Sequence, residues 1–203
     1  MQKIAHVLFD WGGVLFRFKP QRRLQVMAAA SGIAAEKLHD VLWTSGFSRA
    51  CDEGRYNAQE MYQTAADSLR WYPRFEPFQD MWAQAFQLDG DVWALARSLR
   101  RGVGKGILTN NPEILRQVLH RDYPQIEAHF SPILFSATHK LVKPDKRFFF
   151  LAARQAQCTL GQMLLIDDEP EYVEGAQKAG MQAILFSSVE QLTQELRDGG
   201  LLA

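Results

Sequence analysis

A doubly wound α/β fold, a parallel sheet with helices on both faces, is expected of this chain on three grounds. Short β-branched and aromatic runs stop abruptly at polar clusters in four places. Helical patterns separate those runs, and the alternation of β and α persists through the C-terminal half, as a parallel sheet requires. The length of 203 residues fits one such core plus a smaller insertion, not two large domains.

Residues 4–9 (IAHVLF) form the first expected strand, which runs into a turn at Asp10-Trp11-Gly12-Gly13. Residues 16–88 break the alternation: they hold no convincing strand and several helical segments rich in Met, Ala, Trp and Tyr, so they read as a helical insertion. Within it, Asn57-Ala-Gln-Glu60 has capping-box spacing and should start a helix after the turn at Glu53-Gly54-Arg55. Pro73 and Pro77 mark boundaries there. A helix over 91–101 leads to a strand at 103–108 that ends at Thr109-Asn110-Asn111-Pro112. A helix over 112–119, a strand over 133–135 and a helix over 145–156 follow. The strand at 163–166 ends at Asp167-Asp168-Glu169-Pro170, where a helix over 170–179 begins with Pro170 in its first turn and closes at Gly180. A strand over 181–186 and a helix over 189–197 complete the pattern. The expected organisation is a core of 1–15 and 89–203 with a helical cap over 16–88.

Lys plus Arg and Asp plus Glu both total 23, so no net field draws the chain to nucleic acid or acidic lipid. Apolar residues make up 47% of the chain and include 13 Phe and 5 Trp, enough for a real core and too many for general disorder. Cys51 and Cys158 are far apart and lack metal-ligand spacing, which excludes a disulfide scaffold or a cysteine zinc site. The apolar start stops at Asp10 without a cleavage site, and no stretch is long enough to span a membrane. A cytoplasmic protein, monomeric or homodimeric, is expected.

In an open parallel sheet, functional groups collect beyond the carboxyl ends of the strands. Asp10, Thr109, Asn110, Asp167 and Asp168 all fall there. Any one of them alone would more often be a turn former or helix cap; five together point to a site. Asp10, Asp167 and Asp168 would crowd as many as three carboxylates, and unit charges ~4 Å apart repel by about 4 kcal/mol at an effective dielectric near 20. Either a carboxyl keeps its proton or a hard cation binds, and an oxygen-only set suits Mg²⁺. Such an Asp can attack phosphorus if metal and a lysine neutralise the phosphoryl oxygens. Lys143, stiffened by Pro144, is the natural lysine, with Lys140 as fallback. His139, just ahead of both, is the one histidine with a claim on a phosphate; His6, His39, His120 and His129 read as packing or surface. The aromatic residues of 43–86 read mostly as insertion core, with one or two lining a pocket.

The ordered set Phe9-Asp10-Trp11-Gly12-Gly13-Val14, Leu108-Thr109-Asn110, Lys143-Pro144 and Ile166-Asp167-Asp168 resembles the haloacid dehalogenase superfamily across the chain. With Asp52-Glu53-Gly54-Arg55 and Glu174-Gly175-Ala176, it looks most like the C1-capped phosphatases of sugar phosphates such as glucose 1-phosphate. The resemblance implies Asp10 as nucleophile and metal ligand, and the Gly12 carbonyl, Asp167 and Asp168 as the other metal-site groups. It implies Thr109, Asn110 and Lys143 as the groups that hold the transferring phosphoryl group of a small phosphorylated metabolite. It also admits a dehalogenase that uses the same Asp without metal, or a weakly catalytic phosphate-binding module.

One departure stands out. Where many relatives carry a second Asp that protonates the leaving group, this chain has Gly12. General acid–base help is commonly worth 10²- to 10⁴-fold. Another group takes that role, a good leaving group such as an anomeric oxygen makes it dispensable, or the chain is a slow or non-phosphatase member; Gly12→Asp is expected to help poor leaving groups. Tyr172, at a position often polar in related sequences, is expected to alter local support more than the metal.

Overall fold

The computed structural model describes residues 3–202; positions 1, 2 and 203, which fall in the apolar lead-in and at the ends of the expected core segments, lie outside the described residues. In chain order, β1 (His6–Phe9) is followed by β2 (Phe16–Phe18), α1 (Pro20–Ser31) and α2 (Ala35–His39), which a π-helical turn at Asp40–Thr44 continues. Then come α3 (Phe47–Asp52), α4 (Ala58–Leu69), α5 (Phe75–Ala83) and β3 (Phe86–Leu88). The remainder alternates as α6 (Gly90–Arg97), β4 (Gly104–Thr109), α7 (Glu113–Asp122), α8 (Pro124–Glu127), β5 (Ile133–Phe135), α9 (Ser136–His139), α10 (Lys146–Gln155), β6 (Met163–Asp167), α11 (Pro170–Ala179), β7 (Gln182–Leu185) and α12 (Val189–Asp198).

Five strands form a parallel sheet in the order β5-β4-β1-β6-β7. The chain builds outward from β1 on one side and then crosses to the other, so the order reverses beside β1 and a crevice opens at the strands' carboxyl ends. Alternation sorts the strand side chains onto two layers. Leu8, Leu108, Leu134 and Leu165 pack with Phe148, Phe149 and Ala152 of α10. Val7, Phe9, Ile107 and Ile166 face the opposite way.

That second layer is continuous with the insertion: the same cluster of buried residues includes Met27, Leu38, Leu42, Met61, Phe78 and Trp82. The helices of 20–83 therefore share one core with the sheet. Asn57 caps α4 as expected, accepting from the Gln59 and Glu60 amides while Glu60 reaches back to the Asn57 amide.

Two expectations need correction. Residues 16–88 do contain strands: β2 and β3 pair antiparallel in register Phe16 with Leu88 and Phe18 with Phe86, a ribbon through which the chain leaves and re-enters the core. Three residues are too few for a periodic pattern, and the partner lies some 70 positions away, so only the pairing itself reveals them. Pro112 is the extended residue before α7, not its first helical residue; Pro170 does begin α11. Among the described residues, no helix is long and apolar enough to cross a membrane.

Candidate active site

The site grows from the turn after β1. The Asp10 amide donates to the Ile166 carbonyl (2.9 Å), which ties the turn to β6. The chain then folds tightly, with the Leu15 amide on the Asp10 carbonyl and the Phe16 amide on the Trp11 carbonyl, and the Trp11 and Phe16 rings stack 3.9 Å apart. Gly13 has φ +82°, and a Cβ there would sit 2.0 Å from Asp168 Oδ2. Glycine alone lets the second acidic strand end close over the first.

Asp10 and Asp167 meet on one ammonium. Lys143 Nζ lies 2.9 Å from Asp10 Oδ1 and 2.5 Å from Asp167 Oδ2, with the lysine side chain fully buried. Oxygens of Asp10, Asp167 and Asp168 lie within 4.8 Å of one another. Burial first, and the Asp10 charge second, push Asp167 upward and Asp168 up to about 6. Burial pulls Lys143 down, but Asp10 and Asp167 outweigh it and leave its ammonium held more firmly than an ordinary lysine's. One lysine does not settle three clustered carboxyls. An all-oxygen set of this kind fits a hard divalent cation, which would remove the remaining repulsion.

The loop holding Lys143 is fixed by Asn110. The Lys143 amide donates to Asn110 Oδ1 (2.8 Å), and Asn110 Nδ2 donates to the Lys143 carbonyl (3.0 Å). Asn110 lines the cleft, yet both ends of its amide are engaged in holding this backbone. Thr109 is fully buried, accepts from Asn111 Nδ2 (2.7 Å) and is not among the cleft-lining residues. Tyr172 sets its ring 5.0 Å from Lys143 Nζ. His139 packs toward Phe148 and Lys140 is exposed; neither lines the cleft.

A cleft of about 790 Å³ opens over these groups, walled by the turn after β1, by the Lys143 loop and by the insertion. Gly12 lines it, but a Cβ at this position would come 3.0 Å from Phe86 Cε1. An aromatic ring crowds the point at which any side chain at position 12 would begin.

From the insertion come Arg23 and Asp52, whose place in the cleft no spacing in the sequence revealed, and four aromatic rings, Phe18, Trp43, Trp82 and Phe86. Burial holds the Asp52 carboxyl well above the usual carboxylate range; Arg23 opposes this, and Glu53 and Asp10 add to it. A relay pins Asp52: Asn111 donates its amide to Ser136 Oγ (3.0 Å), and Ser136 Oγ donates to the Asp52 carbonyl (2.6 Å). Beside it Gly54, at φ +72°, passes so close to the Ala137 carbonyl that a Cβ would lie 2.3 Å away. Neither Ser136 nor Asn111 is marked by the sequence, since they act through a backbone 84 residues distant.

Comparison with known proteins identifies the family and the fold. A family model described as a haloacid dehalogenase-like hydrolase matches residues 4–180. A Mycobacterium tuberculosis phosphatase is 25% identical over 207 residues, spanning 97% of this chain and 91% of its own. A phosphoserine phosphatase from Thermus thermophilus is 34% identical over 133 residues, 63% of this chain but 46% of that protein. The fold is that of a Bacteroides thetaiotaomicron enzyme of the same family, at TM-score 0.85 and 18% identity over 97% of this chain and 100% of that one. A second crystal structure of that enzyme, in complex with magnesium and inorganic phosphate, superposes at TM-score 0.80 with 17% identity over 91% of this chain and 94% of that one.

Proposed function

The chain belongs to the haloacid dehalogenase-like hydrolases, and we propose that it is a Mg²⁺-dependent phosphomonoesterase acting on a small phosphorylated metabolite, a sugar phosphate by the resemblance of its motifs. The observation that carries this reading is the pair of ion contacts from Lys143 to Asp10 and Asp167, with Asp168 beside them at the reversal of strand order. Residues 16–88 serve as a C1-type cap over a core of 1–15 and 89–203. Phosphatases among the relatives, and magnesium with phosphate in a structural neighbour, support the same chemistry.

In this mechanism an Asp10 oxygen attacks phosphorus in line as the ester P–O bond breaks, giving an aspartyl-phosphate and an alkoxide that takes up a proton. Water then attacks that phosphorus, releasing phosphate and restoring the carboxylate. Asp10, the Gly12 carbonyl, Asp167 and Asp168 would hold Mg²⁺, which when bound offsets charge on the phosphoryl oxygens. Lys143 adds its positive charge on the same side. Asn110 sets the Lys143 backbone from the cleft wall, and Thr109, buried beneath the cleft and bonded to Asn111, supports the phosphoryl cradle from behind. With Phe86 over Gly12, the leaving oxygen departs with little proton help from that direction, which favours substrates whose alcohol leaves readily, an anomeric oxygen among them.

The test is turnover of a generic aryl phosphate. Activity should require Mg²⁺, vanish with chelator, and fall by at least ~10³-fold in Asp10→Asn. A fully active Asp10→Asn protein ends the proposal. Halide release from a small halo acid in chelator would instead identify a dehalogenase, and ligand-induced stabilisation without any turnover a binding module.

A further inference from the structure

Three cations line the cleft: Lys143, Arg49 and Arg23. Lys143 is committed to Asp10 and Asp167. Arg49 is solvent-exposed and paired with Glu53 at 3.0 Å. Arg23 differs from both. It is 3% exposed, and among the described residues its guanidinium forms no ion pair; its one hydrogen bond is from Nε to the Trp82 carbonyl, at 2.7 Å. Its Cζ lies 4.0 Å from the Trp82 ring centre, 5.2 Å from that of Trp43 and 5.7 Å from that of Phe86. All three rings are cleft walls.

We propose that Arg23 reads a second anionic group on the substrate, a carboxylate or a further phosphate, while the first phosphoryl group is presented to Asp10. This rests on the phosphatase reading and narrows its substrate class from phosphorylated metabolites in general to those bearing two anions.

A guanidinium is the side chain best shaped to grip a carboxylate or phosphate through two parallel bonds. Here the aromatic wall packs around it and keeps water from part of it, so an incoming anion meets a poorly solvated cation. Among the described residues no carboxylate is ion-paired with Arg23. Asp52, the carboxyl near enough to affect Arg23, forms no ion pair with it, and burial raises its carboxyl well above the usual carboxylate range. Burial brings Arg23 itself down to about 9, against the attraction of Asp52 and Cys51. A substrate anion relieves that desolvation in the bound state only. If Arg23 instead served only to join α1 to the carbonyl at the end of α5, the Trp82 contact would suffice, and substrate charge would be irrelevant.

Matched substrates separate these roles. Glucose 1-phosphate, glucuronic acid 1-phosphate and glucose 1,6-bisphosphate differ only at C6, which is a hydroxymethyl group, a carboxylate or a phosphorylated hydroxymethyl group. The intact protein should prefer at least one acidic member by roughly 10- to 100-fold in kcat/KM, through KM. Which one it prefers identifies the anion. Arg23→Gln should abolish that preference while leaving glucose 1-phosphate hydrolysis within about threefold, and Arg23→Lys should restore part of it. Equal kcat/KM for all three substrates in the unmodified protein overturns the proposal whether or not the variants fold, as does an Arg23→Gln protein that loses activity equally on neutral and acidic members. Aryl phosphate turnover separates the two levels: its absence defeats the phosphatase reading, whereas its presence without charge preference defeats the Arg23 assignment alone.

Discussion

Restoring an acid at position 12 tests how a single side chain is accommodated. Sequence reasoning expects Gly12→Asp to help with poor leaving groups, but a Cβ there meets Phe86 Cε1 at 3.0 Å, with Phe18 Cβ also close at 3.9 Å. The carboxyl would have to displace a ring that packs near Trp11 and over Phe18. Overpacking of this kind costs ~1–3 kcal/mol. Gly12→Asp should therefore lower stability in urea melts without raising turnover of alkyl phosphates, and adding Phe86→Ala should recover the gain. A rate increase in the single variant would show that the ring yields freely. Asp10, Asp167, Asp168 and Lys143 were readable because each stands where a β-run stops or a helix is about to start. Arg23 was not, since a buried guanidinium in α1 looks like any surface arginine until the rings of Trp43, Trp82 and Phe86 close around it.

The helices owe much of their placement to end signals, and α4 shows what one is worth. Asn57 accepts from two amides and Glu60 closes the box from the other side. Asn57→Ala should cost about 1 kcal/mol, read as a lower urea midpoint with an unchanged slope, and Asn57→Asp should retain most of the stability. An alanine variant as stable as the parent would mean that packing alone fixes this end. Such signals explain why the C-terminal half could be traced closely: β6 begins at Met163 and α11 spans Pro170–Ala179, bounded by glutamate, proline and a left-handed Gly180. The β2–β3 ribbon offered none of this. Its strands exist because Phe16–Phe18 and Phe86–Leu88 find each other, aided by Arg17 reaching Asp89 at 2.6 Å, a contact 72 residues long.

Because one hydrophobic cluster joins the insertion to the sheet, the described chain should unfold as a unit, and a perturbation deep in the sheet should be felt by all of it. His6 provides such a perturbation. It sits in the central strand, 5% exposed, in a space left by two glycines of β4: a Cβ on Gly104 would meet its Nδ1 at 2.2 Å and one on Gly106 its Nε2 at 3.1 Å. Nε2 is buried without a hydrogen-bond partner. Burial lowers the imidazole from 6.5 to about 4, so the folded chain keeps it neutral while the unfolded chain protonates normally. Between those two values the unfolded state binds more protons; stability is intact above 6.5 and falls as pH drops through the window. Moving from about pH 7.5 to about pH 5 should remove ~1–2 kcal/mol through this one group. His6→Leu, neutral throughout and of similar volume, should shrink the difference between urea melts at the two pH values by that amount, whatever it does to stability at either one. Tryptophan fluorescence, which sees Trp43, Trp71 and Trp82 in the insertion together with Trp11 and Trp93 in the core, and far-ultraviolet circular dichroism, which sees the sheet and helices together, should report the same midpoint. If His6→Leu leaves the pH difference unchanged, the imidazole is already solvated in the fold; if the two probes part, the chain does not unfold as a unit despite the shared core.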